Sequence, residues 1–166
     1  MESPVTRTNL SMSVSADGYV AGPRQSADAP LGIGGEALHG WHLGPTKDHS
    51  SNRRVIAEMM DGMGATIMGR NMFGPERGDW GASPWKGWWG DEPPYHCPVF
   101  VLTHYPRESI EMEGGTTFHF VTDGIESAYA QAKDLAGERP ISIAGGASCG
   151  RQAIDAGIVD EIDLQI

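Results

Sequence analysis

The sequence predicts an α/β domain with a mostly parallel central sheet, and three observations carry that expectation. Short apolar runs alternate with stretches of helical spacing, the order in which crossover helices join parallel strands. The run Pro98 to Thr103 (PVFVLT) is almost continuously apolar, as a strand covered on both faces is. Pro140 to Gly157 (PISIAGGASCGRQAIDAG) reads as strand, glycine pair and helix. With 166 residues the chain suits one domain, 1–166, large enough to bury a core without disulfides.

In chain order, residues 1–7 read as a frayed terminus. Leu10, Met12 and Val14 alternate with Ser11, Ser13 and Ser15, which predicts a strand at about 8–15. Ala16-Asp17-Gly18 forms a turn. Gly22 to Gly44 is a long glycine- and proline-rich loop with a helical turn over Glu36 to Leu43. Ser50 or Ser51 caps a helix to about Met63, with Val55, Ile56, Met59, Met60 and Met63 on one face. Ala65 to Met68 is a second strand, and Asn71 to Cys97 a second long loop holding four of the five tryptophans.

Pro98 to Thr103 and Thr116 to Val121 are the next strands. Asp123 with Glu126 resembles a capping box for a helix over Ile125 to Ala136 that buries Ile125, Ala128, Ala132 and Leu135. The strand at Ile141, the Gly145-Gly146 turn and a helix to Ala156 follow. Val159 to Ile166 alternates as a last strand.

Composition excludes several classes. Twelve Lys+Arg against 22 Asp+Glu give a net charge of −10, which argues against nonspecific binding to nucleic acid or an anionic membrane. An anion site would therefore be a local cationic cluster. Cys97 and Cys149, the only cysteines, have no metal-type spacing, so a reduced cytoplasmic protein is the expectation. The first ten residues hold no signal-peptide core, and no apolar run is long enough for a membrane span. His39-x-x-His42 and His96-Cys97 complete no ligand set, so no metal is expected.

Three strand ends suit a phosphorylated ligand. Gly69 allows close approach and Arg70 can fork onto phosphate. Thr103 and His104 offer a hydroxyl and an imidazole. Gly145 and Gly146 precede a helix whose first N–H groups, at Ala147 and Ser148, carry the positive end of its dipole. For each, a plainer reading stands beside this one: a tight turn for the glycines, a surface ion pair for Arg70, a turn cap for Thr103. As a set with Arg107, the cations would favour NADP over NAD.

The motifs Ser15-Ala16-Asp17-Gly18-Tyr19-Val20-Ala21-Gly22-Pro23, Ile67-Met68-Gly69-Arg70, Val99 to His104, Ala144-Gly145-Gly146-Ala147 and Ala156 to Glu161 occur in this order. Together, from about Leu10 to Ile166, they resemble the dihydrofolate-reductase-like family, and more closely the C-terminal reductase domain of the riboflavin-biosynthesis deaminase–reductase. The resemblance implies a three-layer α/β/α fold and an NADPH site at the strand ends. Carried over by position, Gly69 and Arg70 hold cofactor phosphate, and Thr103 and His104 lie by the 2′-phosphate. Gly145 and Gly146, often joined by a cis peptide in this fold, lie against pyrophosphate and nicotinamide, with Ala147 and Ser148 at the helix start. Val20 and Ala21 line the nicotinamide. Trp41 and Leu43 open the substrate side.

The chain departs from the family on that side. Dihydrofolate reductases place a carboxylate beyond the tryptophan, where this chain has Pro45-Thr46-Lys47 and Asp48 slightly off register. The riboflavin-pathway Asn-Pro and arginine stretch is replaced by Asn71-Met72-Phe73-Gly74-Pro75. Family members continue past the strand at Ile162 to Ile166, so the expectation is a fragment or a sheet completed by a partner, with a homodimer favoured. Asp17 is the candidate proton donor, with an Asx turn or a bound water as its competitors. Trp85, Trp88 and Trp89 either cover the core or stack on a flat ring. Two functions follow: an NADPH-dependent reductase of a small pterin-like or pyrimidine-like heterocycle, or a non-catalytic NADP(H)-binding module.

Overall fold

The computed structural model describes residues 6–45 and 48–166. Most of the expected frayed terminus, together with Thr46 and Lys47, lies outside the described residues. Seven strands form one sheet: β1 Thr8–Ser13, β2 Ala65–Gly69, β3 Pro98–Leu102, β4 Ile110–Glu111, β5 Thr117–Val121, β6 Ile141–Gly145 and β7 Glu161–Gln165. Their spatial order is β4-β5-β3-β2-β6-β1-β7. Every neighbouring pair is parallel except β4 with β5. The family-like α/β architecture expected from the sequence is therefore present. The two-residue β4 was not foreseen, because so short an edge strand carries no periodicity of its own.

The helices are α1 Gly40–Leu43, α2 Ser50–Met60, α3 Arg70–Phe73, α4 Ile125–Ala136 and α5 Ala147–Asp155. Alternation along the buried strands sorts side chains to two faces. On one face Ile67, Phe100, Ile141 and Ile143 pack with Ile125, Ala128 and Ala132 of α4 and Cys149 and Ala153 of α5. On the other, Met68, Val99, Val101 and Phe118 pack with Phe73, Trp80, Tyr95 and Cys97, with Met60 at the end of α2, and with Met63 beyond it. Among the described residues no helix is long and apolar enough to cross a membrane.

Several local expectations are corrected. The first strand ends at Ser13, and α2 ends at Met60, where Asp61 turns extended and Gly62 takes a φ of 69°. His49 and Gly124 hold the N-cap positions of α2 and α4, and neither helix has a side-chain cap bond. Gly124, at φ 88°, sets the entry into α4, so the Asp123–Glu126 capping box does not form. The buried stripe of α4 is Ile125, Ala128, Ala132 and Ala136, at spacings of three and four; Leu135 falls off it and is 49% exposed. The helical turn before Leu43 is real: a 3-10 turn at Gly35–His39 runs into α1.

The parallel order brings the C-terminal ends of β1, β2, β3 and β6 to one edge. In a sheet wound this way, that edge is where ligands sit.

Candidate functional site

A cavity of about 870 Å³ opens at that edge. Its floor is the end of β6 and the start of α5: Gly145, Gly146, Ala147 and Ser148 all line it. The Gly145-Gly146 peptide is cis, with Gly145 at φ 125°. A Cβ built on Gly146 would meet nothing within 4 Å, and one on Gly145 only the Met72 sulfur at 3.5 Å. The glycines thus leave their backbone bare toward open space.

At the neighbouring strand ends, Gly69, Arg70, Thr103 and His104 also line the cavity. Arg70 is the first residue of α3, and its guanidinium lies 3.6 Å over the Trp80 ring. It reaches the Thr103 hydroxyl only at 3.4 Å. Its Nε and one terminal nitrogen are buried and have no hydrogen-bond partner. The surface ion pair weighed in the sequence does not form: among the described residues no carboxylate lies within ion-pair distance of Arg70, Arg77 or Arg107. Burial lowers the Arg70 pKa, and Arg77 and Arg107 lower it further, while Glu76 and Tyr105 oppose them. A guanidinium still keeps its proton, so this end of the cavity holds positive charge with spare donors.

Arg77, which the sequence did not single out, lines the same cavity, with Nη1 donating to the Gly74 and Glu76 carbonyls. Arg107 acts from behind. Its guanidinium carbon sits 4.8 Å from the Trp80 ring centroid and it donates to the Ser83 and Trp85 carbonyls, strapping the tryptophan loop to the end of β3.

The tryptophans divide by role. Trp80 is buried among Phe73 and Phe120, and its Nε1 donates to the Tyr105 carbonyl. Trp85 donates to the Phe73 carbonyl and meets Trp88 edge-on. Trp88 and Trp89 line the cavity, and Trp89 also packs on Tyr95 and Phe118. This loop is therefore core cover and cavity wall at once.

At the β1 side, Val20, Ala21, Trp41 and Leu43 line the cavity. Trp41 Nε1 donates to Ser13 Oγ at 3.0 Å, and Asn52 of α2 donates to the Trp41 carbonyl at 2.8 Å. These two bonds seat α1 over the end of β1. His39, His42 and Gln165 complete this wall. Gln165 donates to Ser11 Oγ, and its Oε1 is buried without a partner. The His39–His42 spacing was visible in the sequence, but only as an incomplete metal motif. Among the described residues no cluster could hold a metal ion.

The structure brings together twelve of the thirteen residues singled out from the sequence; Asp17 lies elsewhere. It is exposed and borders a second, shallower hollow with Ser15, Tyr19 and Ile33. Its carboxylate accepts from Ser15 Oγ at 2.6 Å, and the same Oγ accepts from the Tyr19 amide. A serine-based turn has replaced the Asx turn. Asp48 is exposed and does not line the cavity either.

One electrostatic feature of the whole cavity follows. The chain holds 22 Asp and Glu, yet none lines this cavity among the described residues. Unpartnered guanidinium donors, a bare glycine backbone and the first N–H groups of α5 suit an extended anion. Those are the features a dinucleotide phosphate needs, so the residues present fit NADPH.

The family model described as the RibD C-terminal domain matches residues 7–166. No curated protein matches the chain.

Proposed function

Since the chain belongs to the RibD C-terminal domain family, a family of reductases, we propose that it is an NADPH-dependent reductase of a small planar heterocycle, pterin-like or pyrimidine-like. The observation that carries this reading is a cavity that, among the described residues of a strongly acidic chain, no carboxylate lines, with Arg70 free of any ion pair at one side of it. Arg70, Thr103 and His104 would hold the 2′-phosphate. Gly69, Gly145, Gly146 and the N–H groups at Ala147 and Ser148 would hold the pyrophosphate. Val20 and Ala21 would face the nicotinamide, and Trp41 and Leu43 the substrate ring. NADPH supplies a hydride for a C=N or C=O carbon; this chain's part is to hold the two rings together, exclude water and deliver a proton.

Specificity for the cofactor rests on charge. A 2′-phosphate adds a dianionic group, and a desolvated guanidinium with free donors rewards it. A reduced cytoplasmic setting fits the two buried, unpaired thiols. A second copy laid along β7, where Ile162 and Leu164 stand half exposed, would cover an open sheet edge, so a homodimer belongs to this reading.

The alternative, a module that binds NADP(H) without reducing anything, draws on the absence, among the described residues, of a carboxylate proton donor from the cavity. The experiment is a titration with NADPH, followed by tryptophan quenching and energy transfer to the reduced nicotinamide. Trp41, Trp88 and Trp89 on the walls make both signals large. No binding at high micromolar NADPH sinks the reading. Binding without NADPH oxidation by pterin, pyrimidine or quinone acceptors favours the module.

A further inference from the structure

The cavity is chemically divided. Its cationic groups gather at the ends of β2 and β3, whereas α1 sits over β1. β1 stands two strands from β2 and three from β3 in the sheet order. At about 4.8 Å per strand, that separates the two walls by roughly 10–14 Å, room for an extended ligand to reach from one to the other. On the α1 wall, the His39 and His42 rings meet edge-on with centroids 5.1 Å apart, and His42 lies 4.5 Å from Trp41. Both histidines line the cavity. His42 Nδ1 is buried and has no hydrogen-bond partner, although Trp41, Ser13 and Asn52 pin the segment in place.

We propose that His42 is the proton donor of this site, with His39 its positioning partner. The inference rests on the reductase reading above. Three observations support it. The cavity has no carboxylate among the described residues, so acid–base work falls to imidazole, phenol or thiol. Cys149 is buried with its thiol pushed up to about 12, and His104 and Tyr105 belong to the Arg70 wall. His42 alone of the cavity histidines has a buried ring nitrogen left without a partner.

The step balances simply. The acceptor takes a hydride from the reduced nicotinamide at its C=N or C=O carbon and a proton from the imidazolium at its heteroatom. The neutral imidazole is then reprotonated from solvent. Burial lowers the His42 pKa and His39 lowers it further, which makes the imidazolium a stronger acid, present in smaller amount at neutral pH. Among the described residues no other group opposes this. β1 carries no charged side chain; Glu36, Asp48, His49 and Arg53 are exposed; Arg54 pairs with Glu58 at the surface, 3.6 Å apart. Turnover should therefore be greatest at acidic pH and fall as pH rises through the imidazole pKa.

Two measurements test this. In the first, the His42 side-chain resonances are followed by NMR while NADP⁺ or adenosine 2′,5′-bisphosphate is added. The expected result is a shift with NADP⁺ and none with the bisphosphate, which lacks the nicotinamide. If NADP⁺ binds but leaves the His42 resonances still, the donor assignment falls and the reductase reading stands. If NADP⁺ does not bind, the reductase reading falls first.

In the second, NADPH oxidation by a dihydropterin, an aminouracil and 9,10-phenanthrenequinone is measured against pH for the wild type, His42→Gln and His39→Gln. General-acid loss predicts that His42→Gln lowers kcat about 100-fold, abolishes the pH dependence and leaves the NADPH Kd within about threefold. His39→Gln should keep turnover within about tenfold and move the profile to higher pH, because a neighbouring charge is gone. Wild-type turnover with an unchanged profile in His42→Gln overturns the proposal. NADPH binding with no reduction of any acceptor by the wild type overturns the donor role and the reductase reading together.

Discussion

The Arg70 guanidinium carbon lies over Trp80, 3.6 Å from the ring centroid, while two of its three nitrogens have no partner. Trp80 is 7% exposed, and its Nε1 donates to the Tyr105 carbonyl. Cation–π contact is worth about 1–2 kcal/mol when desolvated. It holds the guanidinium without using its hydrogen-bond donors, and those donors remain for a ligand.

Arg70→Ala should therefore weaken NADPH binding about 10- to 100-fold, the range of one charge-assisted bond at about 1.5–3 kcal/mol. NADH, which lacks the 2′-phosphate, should lose threefold or less by the same reckoning. Fluorescence titration of both cofactors against both proteins is the check. An equal loss for the two would show that Arg70 does not read the 2′-phosphate.

Asp17→Asn should leave NADPH affinity and the pH profile of turnover within about twofold of wild type, because a group outside the cavity cannot pass a proton into it. The carboxylate's bond to Ser15 is exposed, so the stability loss should stay under about 1 kcal/mol. Steady-state kinetics across pH decides. A 100-fold fall in kcat with intact cofactor binding would return the donor role to Asp17.

Gly64→Ala should destabilise the fold by about 1–3 kcal/mol, through overpacking. Gly64 sits between α2 and β2, and an added Cβ would lie 2.7 Å from both the Ala136 and Arg139 Cβ atoms. Neither neighbour is the end of a flexible side chain, so backbone must give. Urea unfolding measures the loss, and NADPH affinity of the folded protein should be unchanged.

Stability should fall at alkaline pH. Burial raises the Cys149 thiol from 9.0 to about 12. An acid whose folded pKa is raised stabilises the fold fully below its unfolded pKa, and that stabilisation is lost as pH climbs through 9 toward 12. By about pH 10.5 the loss from Cys149 should be about 2 kcal/mol. Cys97 and Tyr95, also raised by burial, act in the same direction. The slope of urea midpoint against pH should shrink in Cys149→Ala, and an unchanged slope would remove Cys149 from the account.

Glycine and strand chemistry made the cofactor side legible in the sequence. Gly69, Gly145 and Gly146 end apolar runs, and a parallel sheet gathers such ends at one edge, so local pattern plus fold class locates them together. The substrate side had no such signal. Trp41, His39, His42 and Gln165 come from a loop, a four-residue helix and the last strand, elements whose order in the sheet no periodicity reports. Leu135 and the Asp123 cap failed for a related reason. The core face of α4 and the entry made by Gly124 depend on how the helix meets the sheet.

The sequence by itself determined the alternation of strands and helices and the residues at the strand ends, because each rests on patterns within a few positions of the chain; the parallel sheet followed from that alternation. Only the tertiary structure decided that Asp17 stands outside the cavity and that Trp80 is a shelf for Arg70. It also decided that, among the described residues, no carboxylate lines a cavity built from an acidic chain. Those are facts about separation in space, set by strand order and by how two long loops pack, and the energies that fix them come from burial between residues far apart in sequence.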